Sequence, residues 1–116
     1  MNIKMMKNPF IVLIDEQLSS VIFVQDYLQL DFNGKRITCY EWPKVNLLKH
    51  SFDIDDKEYR NALCSLIAKK ISDINLVDDV KLDITFQSGE QIKFNLKGVN
   101  GEIIYFTTPE GEWSSI

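Results

Sequence analysis

Two carboxylates could share a proton across the first hairpin that the sequence predicts. Extending the register of that hairpin places Asp26 opposite Glu41. Two carboxylates a few ångströms apart raise the pKa of one of them, which suits acid–base chemistry. Alternatively, the ladder ends before Trp42-Pro43 and leaves both acids in solvent. Because no serine in a nucleophile elbow accompanies the pair, we expect no catalytic residue and a non-enzymatic protein.

The sequence offers few ligands for a metal ion. His50 is the single histidine, and the chain has neither a CxxC nor an HxxxH spacing. We therefore expect no metal site and no cofactor. Cys39 and Cys64 are each flanked by apolar residues, which predicts two reduced thiols in the core of a cytoplasmic protein.

Acidic residues gather in two short segments. The run at 53–58 reads DIDDKE, and it lacks the sixth-position glycine and twelfth-position acid of a calcium-binding EF-hand loop. The pair at 78–79 precedes a predicted strand. Both segments predict an exposed acidic surface that a basic partner would fit, and the tryptophan of the tail EGEWSSI is predicted either to cap the sheet or to anchor a partner. The candidate partner-binding residues are Asp53, Asp55, Asp56, Glu58, Asp78, Asp79 and Trp113.

The clearest structural signal is a hairpin over residues 21–42. Asn33-Gly34 lies between two β-prone runs, which predicts a two-residue type I′ turn. Closing that turn places Asp31 opposite Arg36 as an ion pair. The opposite face of the hairpin is apolar and consists of Leu28, Leu30, Ile37 and Cys39.

A second hairpin is predicted over residues 80–96. Its apolar and polar residues alternate, and its loop is Gln87-Ser88-Gly89 with a left-handed glycine. Asn100-Gly101 predicts a further turn that returns residues 102–108 beside this hairpin, as an antiparallel meander.

One helix is predicted between the hairpins, over about residues 56–70. Asp55 is its expected N-cap, with Glu58 completing a capping box. The segment 9–20 is ambiguous, because FIVLI could be a buried strand and DEQLSS a turn or short helix. The sequence thus predicts an α+β fold in which one main helix packs on a mostly antiparallel sheet.

Length and charge narrow the class of protein. The chain has 116 residues and a net charge of −4, which suits a single domain over residues 1–116 and argues against general nucleic-acid binding. Residues 51–116 carry seven basic and twelve acidic side chains, so the negative charge lies in the second half. No apolar run approaches the roughly 20 residues of a membrane span, and we expect no secretion signal.

Three segments together resemble a family of small bacterial proteins of no established activity. They are the DYLQL strand, the Trp42-Pro43 step and the helix motif YRNALCSLI, followed by a terminal tryptophan segment. The resemblance covers Ser20 to Trp113 and supports the order of the elements. Small acidic α+β proteins are also similar in kind to bacterial immunity proteins, which block toxin domains that are often basic nucleases.

These observations favour a cytoplasmic immunity or antitoxin protein that neutralises a basic toxin domain by occlusion and charge complementarity. The alternative is a self-associating structural or accessory domain, a homodimer formed through a sheet edge or a Tyr27–Tyr40 aromatic patch.

Overall fold

A computed structural model describes residues 8–97 and 103–111, together with the backbone of residues 113–115. A short 3-10 helix, Pro9–Leu13, precedes the first strand. The strands are β1 (Ser20–Phe23), β2 (Leu28–Phe32), β3 (Lys35–Cys39), β4 (Lys44–Leu47), β5 (His50–Phe52), β6 (Ile71–Val77), β7 (Lys81–Phe86), β8 (Gln91–Asn95), β9 (Ile104–Thr107) and β10 (Trp113–Ser115), and the helix α1 (Tyr59–Cys64) lies between β5 and β6.

The strands form two antiparallel sheets of five strands each. Sheet 1 has the order β1-β2-β3-β9-β10, and sheet 2 has the order β5-β4-β8-β7-β6. The chain is therefore mostly antiparallel sheet with a single short helix in its described part, as an α+β fold requires. The expected single sheet is divided into two.

The predicted hairpin around Asn33-Gly34 is confirmed in its turn and register. These residues have φ angles of 57° and 99°, as a type I′ turn requires. Asp31 pairs with Arg36 in the β2–β3 ladder, which ends at Leu28 and Cys39. The prediction of one long first strand from residue 21 was wrong, because the chain reverses at residues 24–27 and β1 pairs back on β2.

The predicted hairpin at 80–96 is confirmed as well. Ile84 pairs with Ile92, and the loop 87–89 is closed by the Phe86 N–H donating to the Glu90 carbonyl at 2.9 Å. Gly89 has the expected left-handed φ of 100°.

The predicted meander to residue 108 was wrong. The outer neighbour of β8 is β4, while β9 pairs with β3 in sheet 1. Packing explains this choice, because β9 contributes Ile104 and Phe106 to the buried face that already holds Ile37. The Asn100-Gly101 turn lies outside the described residues.

The helix is much shorter than the predicted span of 56–70. It begins after Glu58, which is the N-cap residue and makes no side-chain capping bond, so the capping box predicted with Asp55 does not form. After α1, Ala68 has a φ of 78°, and its N–H donates to the Leu18 carbonyl at 2.7 Å. The chain then enters β6, where the apolar side chain of Ile71 is buried opposite Phe86 instead of continuing a helical stripe.

One cluster of buried apolar residues joins the sheets and the helix within the described residues. Phe10 and Leu13 of the 3-10 helix belong to it, so the ambiguous segment FIVLI is a buried helical turn and not a strand. Tyr59 of α1 is fully buried, and its hydroxyl donates to the Pro43 carbonyl. Burial raises the pKa of that tyrosine. No helix of the described residues is long and apolar enough to cross a membrane.

The two cysteines differ in exposure. Cys39 is buried in β3, and burial raises the pKa of its thiol. Cys64 is exposed at the end of α1, so the prediction that both thiols lie in the core was wrong for this residue. The apolar neighbours of Cys64 in the sequence lie on other sides of the helix. Their apolar character therefore does not show that the cysteine itself faces the core.

Candidate functional site

The acidic segment, residues 53–58, leaves the end of edge strand β5 and leads into α1. Its four carboxylate residues are all exposed. Two hydrogen bonds from backbone N–H groups to side-chain carboxylates hold the segment: the Asp53 N–H donates to Asp56 Oδ2 at 2.8 Å, and the Asp55 N–H donates to Asp53 Oδ1 at 3.2 Å. These bonds fix a compact loop that presents the carboxylates as a group.

A groove of about 390 Å³ runs beside this segment, and we call it the acidic groove. The rings of His50 and Phe52 meet edge to face, with centroids 6.2 Å apart, at its β5 side. A second depression of about 200 Å³ shares Phe52 and Glu58 with it and continues along α1. The acidic groove is lined by His50, Ser51, Phe52, Asp55, Asp56, Lys57 and Glu58.

The structure does not bring Asp78 and Asp79 to the acidic segment. They form the exposed turn between β6 and β7, where Asp79 has a φ of 62°. Because β5 and β6 run in the same direction in sheet 2, both acidic sets lie at the same end of the sheet. They lie at opposite edges, however, which four strand spacings place roughly 20 Å apart.

Lysines occupy the strands between the two acidic sets. Lys44 of β4 lies directly opposite Lys93 of β8, and Lys93 lies opposite Asp83 of β7. Lys81 contacts the same aspartate, with Nζ 3.2 Å from Oδ2. Charge across this end of sheet 2 therefore alternates: acidic at the β5 edge, basic in the middle and acidic at the β6 turn.

Sequence reasoning missed this basic region. The alternation of the second hairpin already placed Lys81, Asp83 and Lys93 on its polar face, so part of the signal was present. The missing part was Lys44, because β4 was not predicted and nothing in its four residues indicates that it pairs with β8.

Trp113 stands apart from the other candidate residues. Its backbone lies in β10 and pairs with Thr107 at the edge of sheet 1. Its side chain lies outside what the structure describes, so the choice between a sheet cap and a partner anchor stays open.

The predicted carboxylate pair of Asp26 and Glu41 does not form in the ladder. The β2–β3 register ends at Leu28 and Cys39, and both acids lie in exposed loops beyond it. The alternative, a ladder that ends before Trp42, is the correct one. Among the described residues, no group of three or more histidine, cysteine or acidic side chains is arranged to hold a metal ion.

The aromatic patch predicted on the first hairpin is present. The rings of Tyr27 and Tyr40 lie 5.9 Å apart between centroids, and Tyr40 is 47% exposed. The guanidinium of Arg60 in α1 lies over the ring of Phe23 in β1, 5.6 Å from the ring centroid. This contact links α1 to sheet 1.

The chain matches no protein-family model, and neither the curated proteins nor the solved structures contain a significant match to it. The resemblance over Ser20 to Trp113 therefore stays a prediction.

Proposed function

We propose that this chain is a non-enzymatic binding protein of the immunity or antitoxin type, acting in the cytoplasm. It neutralises a basic toxin domain by covering part of its surface. The observation that carries the proposal is the acidic groove, in which exposed carboxylates on a hydrogen-bonded loop adjoin an aromatic wall.

Electrostatic complementarity supports a basic partner. The acidic segment has four carboxylates and one ammonium group, from Lys57. An arginine or lysine of the partner can lay its aliphatic stem along Phe52 and place its charged group among the carboxylates. Charges of this kind accelerate encounter and select the partner, while the buried area around them supplies much of the affinity.

The loop is also suited to binding because it is already ordered. Two of its carboxylates accept backbone N–H groups of the same loop, so binding does not have to arrange them. An ordered surface loses less conformational entropy on association than a flexible one.

The proposal is tested with the partner recovered by crosslinking in the native cells and then purified. We expect a single stoichiometric partner with a basic toxin domain, whose toxic activity falls when the two proteins are mixed. Neutralising the groove with Asp55→Asn, Asp56→Asn and Glu58→Gln should weaken the complex about tenfold or more.

A matched control removes three charges from the far edge of sheet 2, through Asp73→Asn, Asp78→Asn and Asp79→Asn. Asparagine tolerates the left-handed φ of Asp79, so this variant should fold normally. Equal loss of affinity in both variants would point to net charge and contradict a specific role of the groove. Unchanged affinity in the groove variant would eliminate the groove as the interface.

A second candidate function is self-association. Tyr27 and Tyr40 form an aromatic pair in which Tyr40 is exposed and Tyr27 is half-buried, and the seven-residue strand β6 is an edge of sheet 2. Sedimentation equilibrium over a range of concentrations tests it. A dimer that dissociates with Tyr40→Ser would establish this function, whereas a monomer at every concentration would remove it.

A further inference from the structure

We propose that the outer face of sheet 2 carries a binding site for an oxyanion, a carboxylate or a phosphate group. The site is a depression of about 230 Å³, which we call the lysine groove, lined by Lys44, Val80, Lys81, Asp83, Lys93, Phe94 and Asn95. Because it lies outside the acidic groove, this inference does not depend on the function proposed above.

Basic side chains outnumber acidic ones among the residues that line the lysine groove. Three lysines surround a single carboxylate, Asp83, which is 6% exposed. Its Oδ2 lies 3.2 Å from Lys81 Nζ and 3.5 Å from Lys93 Nζ, so the aspartate is already engaged. A local excess of two positive charges therefore remains among the residues that line the groove.

Lys44 occupies an electrostatically unfavourable position in the β4–β8 ladder. It lies directly opposite Lys93 in the ladder, and like charges directly opposite each other destabilise a sheet. Within the described residues Lys44 has neither an ion pair nor a side-chain hydrogen bond. An anion between these two ammonium groups would convert their repulsion into attraction.

Asn95 is the neutral polar residue of the groove. Asn95 Oδ1 accepts the Lys97 N–H at 3.0 Å, which directs the acceptor end of the amide to the backbone. The Nδ2 group of Asn95 is therefore the end left to donate. The groove thus offers three ammonium groups and an amide donor, and its one carboxylate is engaged with lysines, which is the donor set that an oxyanion needs.

The test titrates the full chain with inorganic phosphate and separately with N-acetylglutamate, at fixed ionic strength, following backbone amide shifts by NMR. We expect saturable shifts centred on β4, β7 and β8. The variant Lys44→Gln/Lys93→Gln should bind about tenfold more weakly. This variant removes a repulsion between lysines, and Asp83 keeps Lys81 as its partner, so we expect it to fold.

The matched control is Lys49→Gln/Lys70→Gln, which removes two exposed lysines outside the groove and should leave binding unchanged. Tighter binding of phosphate would assign the site to a phosphate-bearing ligand, and tighter binding of N-acetylglutamate to an acidic side chain of a protein partner. Shifts that do not saturate, or that weaken equally in both variants, would overturn the proposal.

Discussion

Charge on the outer face of sheet 1 is neutralised within the sheet. The Arg36 guanidinium lies 3.1 Å from Asp31 Oδ2 and also donates to Gln29 Oε1 at 3.4 Å. Gln29 in turn donates to Thr38 Oγ1 at 3.3 Å. Asp31 is further engaged through Oδ1, which accepts the Gly34 N–H at 2.8 Å. Each of these polar groups has a partner on its own sheet.

The outer face of sheet 2 is arranged differently. There Lys44 and Lys93 face each other across neighbouring strands, and Asp83 is the carboxylate that contacts the groove lysines Lys81 and Lys93. The comparison indicates that the charges on the outer face of sheet 1 are paired with each other, whereas the outer face of sheet 2 retains positive charge that a ligand can use. A face whose charges are paired contributes to folding, and a face with unpaired charge is the better candidate for binding.

The largest effects that separate the two faces should come from removing their central carboxylates. Asp31→Asn places an amide against the Arg36 guanidinium and should lower the free energy of unfolding by about 2 kcal/mol. Asp83→Asn should cost less, about 1 kcal/mol, because Asp83 contacts only two partly exposed lysines through one oxygen, whereas Asp31 also accepts the Gly34 N–H and the Ser19 hydroxyl. Urea unfolding of each variant, compared with the parent chain, measures both values.

Added phosphate tests the difference between the two faces. It should restore much of the stability lost in Asp83→Asn, since an anion can take the place of the missing carboxylate among the lysines. It should restore Asp31→Asn much less, because the Arg36 guanidinium left unpaired there offers one positive charge, whereas the lysine groove offers three. Equal restoration of the two variants by phosphate would show that the faces do not differ in the way proposed.

Effects of similar size should come from the glycine turns of the two sheets. Gly34 and Gly89 have φ angles of 99° and 100°, so alanine at either site costs about 1–2 kcal/mol from backbone strain. At Gly34 an added Cβ would also lie 3.1 Å from the ring of Pro109, whereas at Gly89 it would meet the end of the Leu48 side chain at 3.0 Å. Because Leu48 is 71% exposed and can move away, Gly34→Ala should be the more destabilising change.

Thermal unfolding of both alanine variants checks this order. Gly111→Ala is a suitable reference, because Gly111 has a φ of 87° and no atom within 4 Å of an added Cβ. Its loss of stability therefore measures the backbone strain alone. If Gly89→Ala were the most destabilising of the three, packing of Leu48 on that turn would be tighter than its exposure indicates.

The same turns show which parts of the fold could be predicted from the sequence. Asn33-Gly34 and Gly89 specify local backbone geometry, and each turn then fixes the register of its flanking strands. The partners of β4 and β9 could not be predicted, because pairing between distant segments depends on packing of the whole core. The prediction of the helix was wrong for a related reason, because burial of Ile71 in β6 outweighed the helical pattern that included it.

The local features of the candidate site could be predicted from the sequence, but its arrangement across the sheet could not. The exposure of the acidic residues followed from their local sequence, and the structure confirms it for residues 53–58 and 78–79. Their separation follows from the strand order of sheet 2, which places three strands between the two edges. A surface assembled from several strands is therefore visible only after the topology is known.

The smallest expected effect is a pH-dependent one beside the β2–β3 turn of sheet 1. Hydrogen bonds from Lys35 at 2.8 Å and Asn33 at 3.1 Å lower the pKa of Glu16 below its ordinary value. A carboxylate with a lowered folded-state pKa stabilises the protein above its ordinary pKa, and this contribution is lost as pH falls through the folded-state value. Glu16→Gln should therefore lower stability near neutral pH and make no difference in strong acid.

Urea unfolding of the parent chain and Glu16→Gln from neutral to acidic pH measures this loss, with Glu41→Gln as a control that removes an exposed carboxylate outside any ion pair of the described residues. The difference should also shrink in high salt, because the Glu16–Lys35 pair is partly exposed. A difference between parent and Glu16→Gln that persisted unchanged in acid would contradict the ionic origin. The effect would then belong to the neutral hydrogen bond from Asn33, and Glu16 would hold the β2–β3 turn by hydrogen bonding and not by charge.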